Sequence, residues 1–331
     1  MQVAVVGAGS WGTTVASMLA PKADTTLWAR HPPLAEAING GENPTYLAGV
    51  TLSGELSATS DLSASLDGAD VVVMAVPSHG YRSVLAHGAD AISDETPIVS
   101  LTKGIEQDTL MRMTEVTADV LPDHNAERTG VLTGPNLASE IVAGQPAATV
   151  IAMGDHDMAL AMQDLFSAPM FRVYTNPDVI GAEIAGATKN VMALAAGMAD
   201  GLGFGLNTRA TLITRALAEM TRLGVAMGGQ TATFAGLAGM GDLVATCMSE
   251  RSRNHRVGHA LGKGKTLNEV IADMKMVAEG VKSTEGILEL ADRHEVEMPI
   301  AEQVGRVLYD GATAPDAIMA LMGRAARSEV E

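Results

Sequence analysis

Apolar residues in the first half of the chain come in short runs, separated by polar stretches that hold glycine or proline. MQVAVV (1–6), TTLWA (25–29), VVVMAV (71–76), PIVSL (97–101), GVLT (130–133) and AATVIAM (147–153) are too short for helices and rich in β-branched residues, which predicts strands. The run at 71–76 is apolar throughout and stops at Pro77, the pattern of a strand covered on both faces of a parallel sheet. Helical stretches lie between the runs, for example at 13–20 and 80–86. Such alternation predicts a doubly wound α/β sheet with ligands at the carboxyl ends of its strands. Beyond Pro177 the strand signal fades, and Ala, Leu and Met recur at helical spacing over 178–198, 208–227, 266–274, 283–294 and 314–328. Asn176-Pro177-Asp178 reads as a helix start, with proline near the first helical position.

The first strand runs directly into Gly7-Ala8-Gly9-Ser10-Trp11-Gly12, followed by a helical stretch. In that setting G-x-G-x-x-G is a dinucleotide fingerprint. Gly7 permits the tight turn, Gly9 the approach of a pyrophosphate and Gly12 close packing of helix on strand, while free N–H groups at the helix start receive the phosphate charge. The expected architecture is therefore an N-terminal Rossmann-like domain over residues 1–180 and an all-α domain over 181–331. In NAD sites an acid at the end of the second strand takes the ribose 2′-hydroxyl. Here that strand ends Leu27-Trp28-Ala29-Arg30-His31, without an acid. Arg30 is either a solvated loop residue or a partner for a 2′-phosphate; the second choice makes NADP(H) the preferred cofactor, with NAD(H) as an alternative.

Composition narrows the classes. The 331 residues carry a formal charge of −17, which excludes nucleic-acid phosphate as a partner. One cysteine, Cys247, rules out an internal disulfide, and the eight histidines show no metal-ligand spacing, so no metal is expected. The most apolar helix, 179–198, carries Glu183 and Lys189 at its middle, which argues against a membrane span. Met1 leads straight into a strand with no basic n-region, and the cytoplasm is the expected compartment. With aromatics at 3% and 20 methionines, the helices pack through small and aliphatic side chains, which suits a homodimer interface and a tight core equally.

Two lysines stand where a solvated lysine is unexpected. Lys103 follows a buried strand, and Lys189 lies in AGATKNV among small and apolar neighbours. Either is a solvated charge or a proton donor for a carbonyl oxygen, the latter if burial lowers its pKa. Arg251-Ser252-Arg253-Asn254-His255-Arg256 opens an acid-free stretch in an acidic chain, which reads as a phosphate site or as a solvated loop. Gly134-Pro135-Asn136-Leu137-Ala138 is a turn able to present N–H groups to an anion. GLAGMGD (236–242) is loop-like, and its Asp242 orients a lysine, binds a hydroxyl or caps the next helix.

Across nearly its whole length the chain resembles the bacterial NAD(P)-dependent glycerol-3-phosphate dehydrogenases. The resemblance rests on GAGSWGTTVA (7–16), NPTYLAG (43–49), AVPSHGYRSVL (75–85), SLTKGIE (100–106), GPNLASE (134–140), GATKNVMALAAGMADGLGFGLNTRA (186–210), FAGLAGMGDLVATCMSERSRN (234–254) and VAEGVKST (277–284). It implies interconversion of dihydroxyacetone phosphate and sn-glycerol 3-phosphate, feeding phospholipid synthesis. It implies Lys189 as general acid/base, with Lys103 and Asp242 beside it. Gly134, Asn136, Asn190, Ser252, Arg253 and Asn254 fall on substrate positions, with Arg253 on the phosphate. Ser10, Trp11, Arg30, His31, Lys103, Ala138, Arg253, Val277 and Glu279 join the glycines on cofactor positions. Asn136-Leu137 departs from the family's Ser/Thr-aromatic pair. A β-hydroxyacid or ketopantoate-type reductase also joins such a domain to helices, but would not require TKGIE together with SRN.

Overall fold

The computed structural model describes residues 1–273, 278–326 and 328. Among these, eight strands form one sheet: β1 (Gln2–Val6), β2 (Asp24–Trp28), β3 (Ser57–Thr59), β4 (Val71–Met74), β5 (Ile98–Ser100), β6 (Thr129–Thr133), β7 (Ala147–Met153) and β8 (Phe171–Asn176). Their order is β3-β2-β1-β4-β5-β6-β7-β8. Successive residues feed opposite faces: Val3, Val5, Val71 and Val73 enter one core, while Ala4, Val6, Val72 and Met74 enter the other. Helices α1 (Ser10–Leu19), α2 (Pro32–Asn39), α3 (Leu62–Leu66), α4 (Ser78–Gly88), α5 (Met113–Val120), α6 (Ala138–Ile141) and α7 (His156–Phe166) connect the strands. The chain winds from β1 through β2 to β3, then returns to β4 on the far side of β1. The carboxyl ends of β1 and β4 thus form the switch point where such sheets bind ligands.

Three features differ from the sequence expectation. β3 and β8 carry no continuous apolar run, because each is an edge strand. In β8, Phe171 and Val173 face the core, whereas Arg172 and Tyr174 are exposed. β7 runs antiparallel to β6. The segment joining them contains only the four-residue α6, too short to carry the chain back for a parallel pair.

The second half is all-helical among the described residues. It comprises α8 (Val179–Gly201), α9 (Leu206–Ala226), α10 (Thr231–Ala235), a π-helical turn (Leu237–Gly241), α11 (Asp242–Met248), α12 (Arg253–Gly262), α13 (Leu267–Asp273), α14 (Glu279–Arg293), α15 (Pro299–Tyr309) and α16 (Ala314–Met322). Asp178 caps α8 by accepting the Gly181 N–H at 2.8 Å. Helix α8 is buried almost all round and forms the axis of this half. It is tied to the sheet by Glu183, whose buried carboxylate accepts the Thr114 N–H at 3.0 Å and pairs with Arg112 at 2.6 Å.

The contact of α8 with α12 is made backbone to backbone. A Cβ on Gly197 would lie 2.1 Å from the His255 carbonyl oxygen, and one on Gly258 would lie 2.0 Å from that of Leu194. No flexible side chain stands there to give way. Gly258→Ala should therefore force the helices apart and cost about 1–3 kcal/mol or more, lowering Tm by roughly 3–10 °C. Gly54→Ala, where a Cβ meets nothing within 4 Å, should leave Tm unchanged in the same melt.

Candidate active site at the carboxyl edge of the sheet

The glycine turn divides its duties as follows. Gly7 has φ +122°, and a Cβ there would lie 2.7 Å from the Ala75 carbonyl oxygen. A Cβ on Gly12 would lie 2.0 Å from the Gly7 carbonyl oxygen. Both glycines are required by the protein's own packing. Gly9 is different: a Cβ there meets no atom within 4 Å, so its backbone borders open space at the start of α1. That bare helix start fits a pyrophosphate. Asn43 holds the turn from behind, donating to the Ala8 carbonyl at 3.1 Å and to the Thr13 hydroxyl at 2.8 Å. Ser10 donates to the Tyr46 carbonyl at 2.7 Å. Trp11 packs on Phe171 with ring centroids 6.1 Å apart, and its buried indole N–H has no acceptor among the described residues. Arg30 and His31 follow β2 and are exposed.

Across the sheet edge, three charged side chains meet in the interior. Lys189 on α8 is 7% exposed and Asp242, the first residue of α11, 2%. The Asp242 carboxylate pairs through one oxygen with the Lys189 ammonium at 3.0 Å and through the other with that of Lys103. Lys103 also donates to the Gly134 carbonyl at 3.1 Å. Lys189 donates to the Thr246 hydroxyl at 2.7 Å, and Thr246 in turn donates to Asp242 at 3.1 Å. Asp242 thus orients both lysines and caps no helix. Its placement comes from the preceding segment. Leu237–Gly241 form a π-helical turn closed by a Gly241 N–H to Gly236 carbonyl bond at 3.1 Å, where a loop was expected.

Electrostatics follow from burial and proximity. Burial pulls Lys103 down to about 8, against the attraction of Asp242 and with the repulsion of Lys189. Burial disfavours the Asp242 charge, but the two ammoniums hold the carboxyl below its usual range. Glu279, at the start of α14, is pushed up by burial while Arg253, Lys189 and Lys103 act in the opposite direction. Burial likewise raises the Cys247 thiol to about 12, so it stays protonated at neutral pH.

The basic segment at 251–256 runs into a helix from Arg253 on, with Arg251, Arg253 and Arg256 exposed and Ser252, Asn254 and His255 buried. Ser252 caps α12 by accepting the His255 N–H at 3.3 Å, and Arg253 opens the helix, close enough to Glu279 to influence its charge. Asn254 donates to the Asn190 side-chain oxygen at 2.9 Å and accepts the Gly280 N–H at 2.9 Å, locking α8, α12 and α14 together. Asn136 donates to Thr149 at 2.9 Å, and its side-chain oxygen is buried without a hydrogen-bond partner among the described residues. Ala138 starts α6, so the turn from Gly134 ends on a helix. Val277 lies outside the described residues. The residues that the sequence alone did not single out are Asn43, which sits inside a quoted motif, and Thr246, four residues after Asp242 on the same helix face. Among the described residues, no group of His, Cys, Asp and Glu could hold a metal ion, and no helix is long and apolar enough to cross a membrane.

Known proteins share this sequence and fold. The profile for the N-terminus of NAD-dependent glycerol-3-phosphate dehydrogenase matches residues 2–159, and that for the C-terminus matches residues 178–319. The glycerol-3-phosphate dehydrogenase (NAD(P)+) 2 of Sphingopyxis alaskensis is 54% identical over 323 residues, covering 97% of this chain and 96% of its own. The glycerol-3-phosphate dehydrogenase (NAD(P)+) of Thermobifida fusca is 53% identical over 333 residues, covering 99% of this chain and 98% of its own. The crystal structure of glycerol-3-phosphate dehydrogenase from Coxiella burnetii superposes with a TM-score of 0.92 at 37% identity, covering 98% of this chain and 99% of that one. The chain belongs to the NAD-dependent glycerol-3-phosphate dehydrogenase family of oxidoreductases.

Proposed function

We propose that the protein interconverts dihydroxyacetone phosphate and sn-glycerol 3-phosphate, with NADP(H) preferred over NAD(H) and Lys189 as the general acid/base. The observation that carries this reading is the buried Asp242 carboxylate shared by the Lys103 and Lys189 ammoniums at the carboxyl edge of a dinucleotide-binding sheet. When bound, the cofactor supplies a hydride to the C2 carbonyl carbon. The chain supplies the rest. Lys189 gives its proton to the carbonyl oxygen as negative charge develops there, and in the oxidative direction its neutral amine removes the hydroxyl proton. Lys103 presents a second positive charge to the same oxygen, in a site where few solvent dipoles compete. Asp242 and Thr246 hold Lys189 in one position. Arg253 takes the substrate phosphate, with Ser252, Asn254, Asn190, Asn136 and Gly134 shaping the same recess, and that remote contact positions the carbonyl. The glycine turn, Ser10, Trp11, Arg30, His31, Ala138, Val277 and Glu279 form the cofactor side.

The proposal extends to the setting. The division into domains falls at residue 180, in the first turn of α8. The product is the phosphorylated glycerol backbone of glycerophospholipids, which suits a cytoplasmic biosynthetic role, and the helical half offers a homodimer interface.

Lys189→Ala should lower kcat by two or more orders of magnitude while the Kd for NADPH stays within about twofold. Turnover near wild type would remove Lys189 from the chemistry. Arg253→Ala deletes a charge-assisted contact of about 1.5–3 kcal/mol and should raise KM for dihydroxyacetone phosphate by roughly 10- to 150-fold; an unchanged KM would displace it from the phosphate. Asp242→Asn removes the attraction that opposes burial at Lys103, so the Lys103 pKa should fall below about 8. A lysine that acts as the ammonium is lost as pH rises through its pKa, so the alkaline limb of the reductive kcat/KM profile should move to lower pH. A limb that stays in place would separate Asp242 from the proton chemistry.

A further inference from the structure

Three basic side chains stand apart from the lysine cluster. In register, Trp28 of β2 is paired with Val6 of β1, and Val6 with Met74 of β4. Arg30 lies just past β2, and His79 lies in the first turn of α4 past β4, so the two flank the glycine turn on either side. Lys282 arrives from the helical half on α14. There, α14 and α4 meet over Gly104: a Cβ on that glycine would lie 2.8 Å from the Ser78 hydroxyl and 3.6 Å from that of Ser283. Gln107 of the sheet domain donates to the Lys282 carbonyl at 3.2 Å, which fixes this turn of α14 against it.

His79 lies within electrostatic reach of the other two: burial, then the Lys282 ammonium, then the Arg30 guanidinium hold its imidazole below its ordinary pKa. None of the three side chains has a hydrogen bond or ion pair within the described protein. The chain holds 39 acidic residues against 22 lysines and arginines, so carboxylate partners are abundant elsewhere. Arg30 and Lys282, two cations on either side of His79 at a domain junction with no carboxylate acting on that imidazole, repel each other unless an anion joins them. A dinucleotide carries its pyrophosphate at the α1 start, and the only other anionic group that NADP(H) has and NAD(H) lacks is the 2′-phosphate, expected just past β2.

We infer that Lys282 reaches from the helical domain to bind, together with Arg30, the 2′-phosphate of NADP(H), so that cofactor discrimination is shared by both domains. The inference rests on the reading of Arg30 as a 2′-phosphate ligand. It makes Lys282 a specificity-determining residue: an ammonium there favours the cofactor with the extra charge and leaves the rest of the dinucleotide untouched.

The test is calorimetric titration of the full-length protein with 2′,5′-ADP and with 5′-AMP, the adenosine halves of the two cofactors. Lys282→Gln should weaken 2′,5′-ADP by about tenfold or more and leave 5′-AMP within about twofold, and Lys282→Arg should restore the difference. NADPH and NADH should follow the same pattern by fluorescence titration. If Arg30→Gln loses the preference and Lys282→Gln keeps it, the inference falls and the Arg30 reading stands. If wild type binds both nucleotides equally and Arg30→Gln changes neither, both fall. Equal weakening of both nucleotides by Lys282→Gln would put Lys282 on the pyrophosphate and overturn the inference.

Discussion

A carboxylate buried between two ammoniums is the constraint around which the molecule is built. Taking Asp242, Lys103 and Lys189 out of water is costly, and only their mutual pairing, with hydrogen bonds to Thr246 and the Gly134 carbonyl, offsets that cost. Removing Asp242 would leave two ammoniums facing each other without a counter-charge. The wider cluster is not neutral. Lys103, Lys189 and Arg253 give three positive charges, Asp242 and Glu279 two negative ones, so full ionisation leaves +1. A net positive cluster, with Arg253 at its exposed rim, in a chain of charge −17 suits a phosphorylated substrate and a carbonyl oxygen that becomes negative during reduction.

The rest of the fold brings these groups together from distant parts of the chain. The sheet delivers Lys103 and Gly134 at the ends of β5 and β6, next to the switch point. Helix α8 delivers Lys189 and Asn190, and the buried Glu183 near its start ties it to Arg112 and Thr114 of the sheet domain. Glycines on α8 and α12 allow contact at backbone distance, which brings the capped start of α12, with Arg253 and Asn254, to the same edge. The Asn190–Asn254–Gly280 chain then fixes the start of α14 and with it Glu279. Stability and function are coupled here, because the close packing of the helices is what sets the spacing of the charges.

How far the sequence could be read depends on what each element rests upon. β1, β4 and β7 are covered on both faces, so their apolar runs show directly in the residue order. β3 and β8 are edge strands with polar residues along one side, and no run marks them. The start of α12 reads Arg-Asn-His-Arg and lacks an apolar stripe, so it resembles a loop until the Ser252 cap and the glycine contact with α8 are seen. Lys189 was legible because its own helix neighbours are small and apolar. Thr246 was not, because a threonine on a short helix acquires meaning only from the lysine that reaches it.

The sequence by itself determined the glycine turn, the parallel strands of the core, the change to helices after Pro177 and the candidate lysines. Each of these depends on backbone sterics or on periodicity within a few residues. Only the tertiary structure decided that Asp242 orients two lysines, that Gly9 is the glycine bordering open space, and that Lys282 stands with Arg30 and His79. Charges act through space and through the water that folding excludes, so partners 139 residues apart, as Lys103 and Asp242 are, carry no mark of each other along the chain.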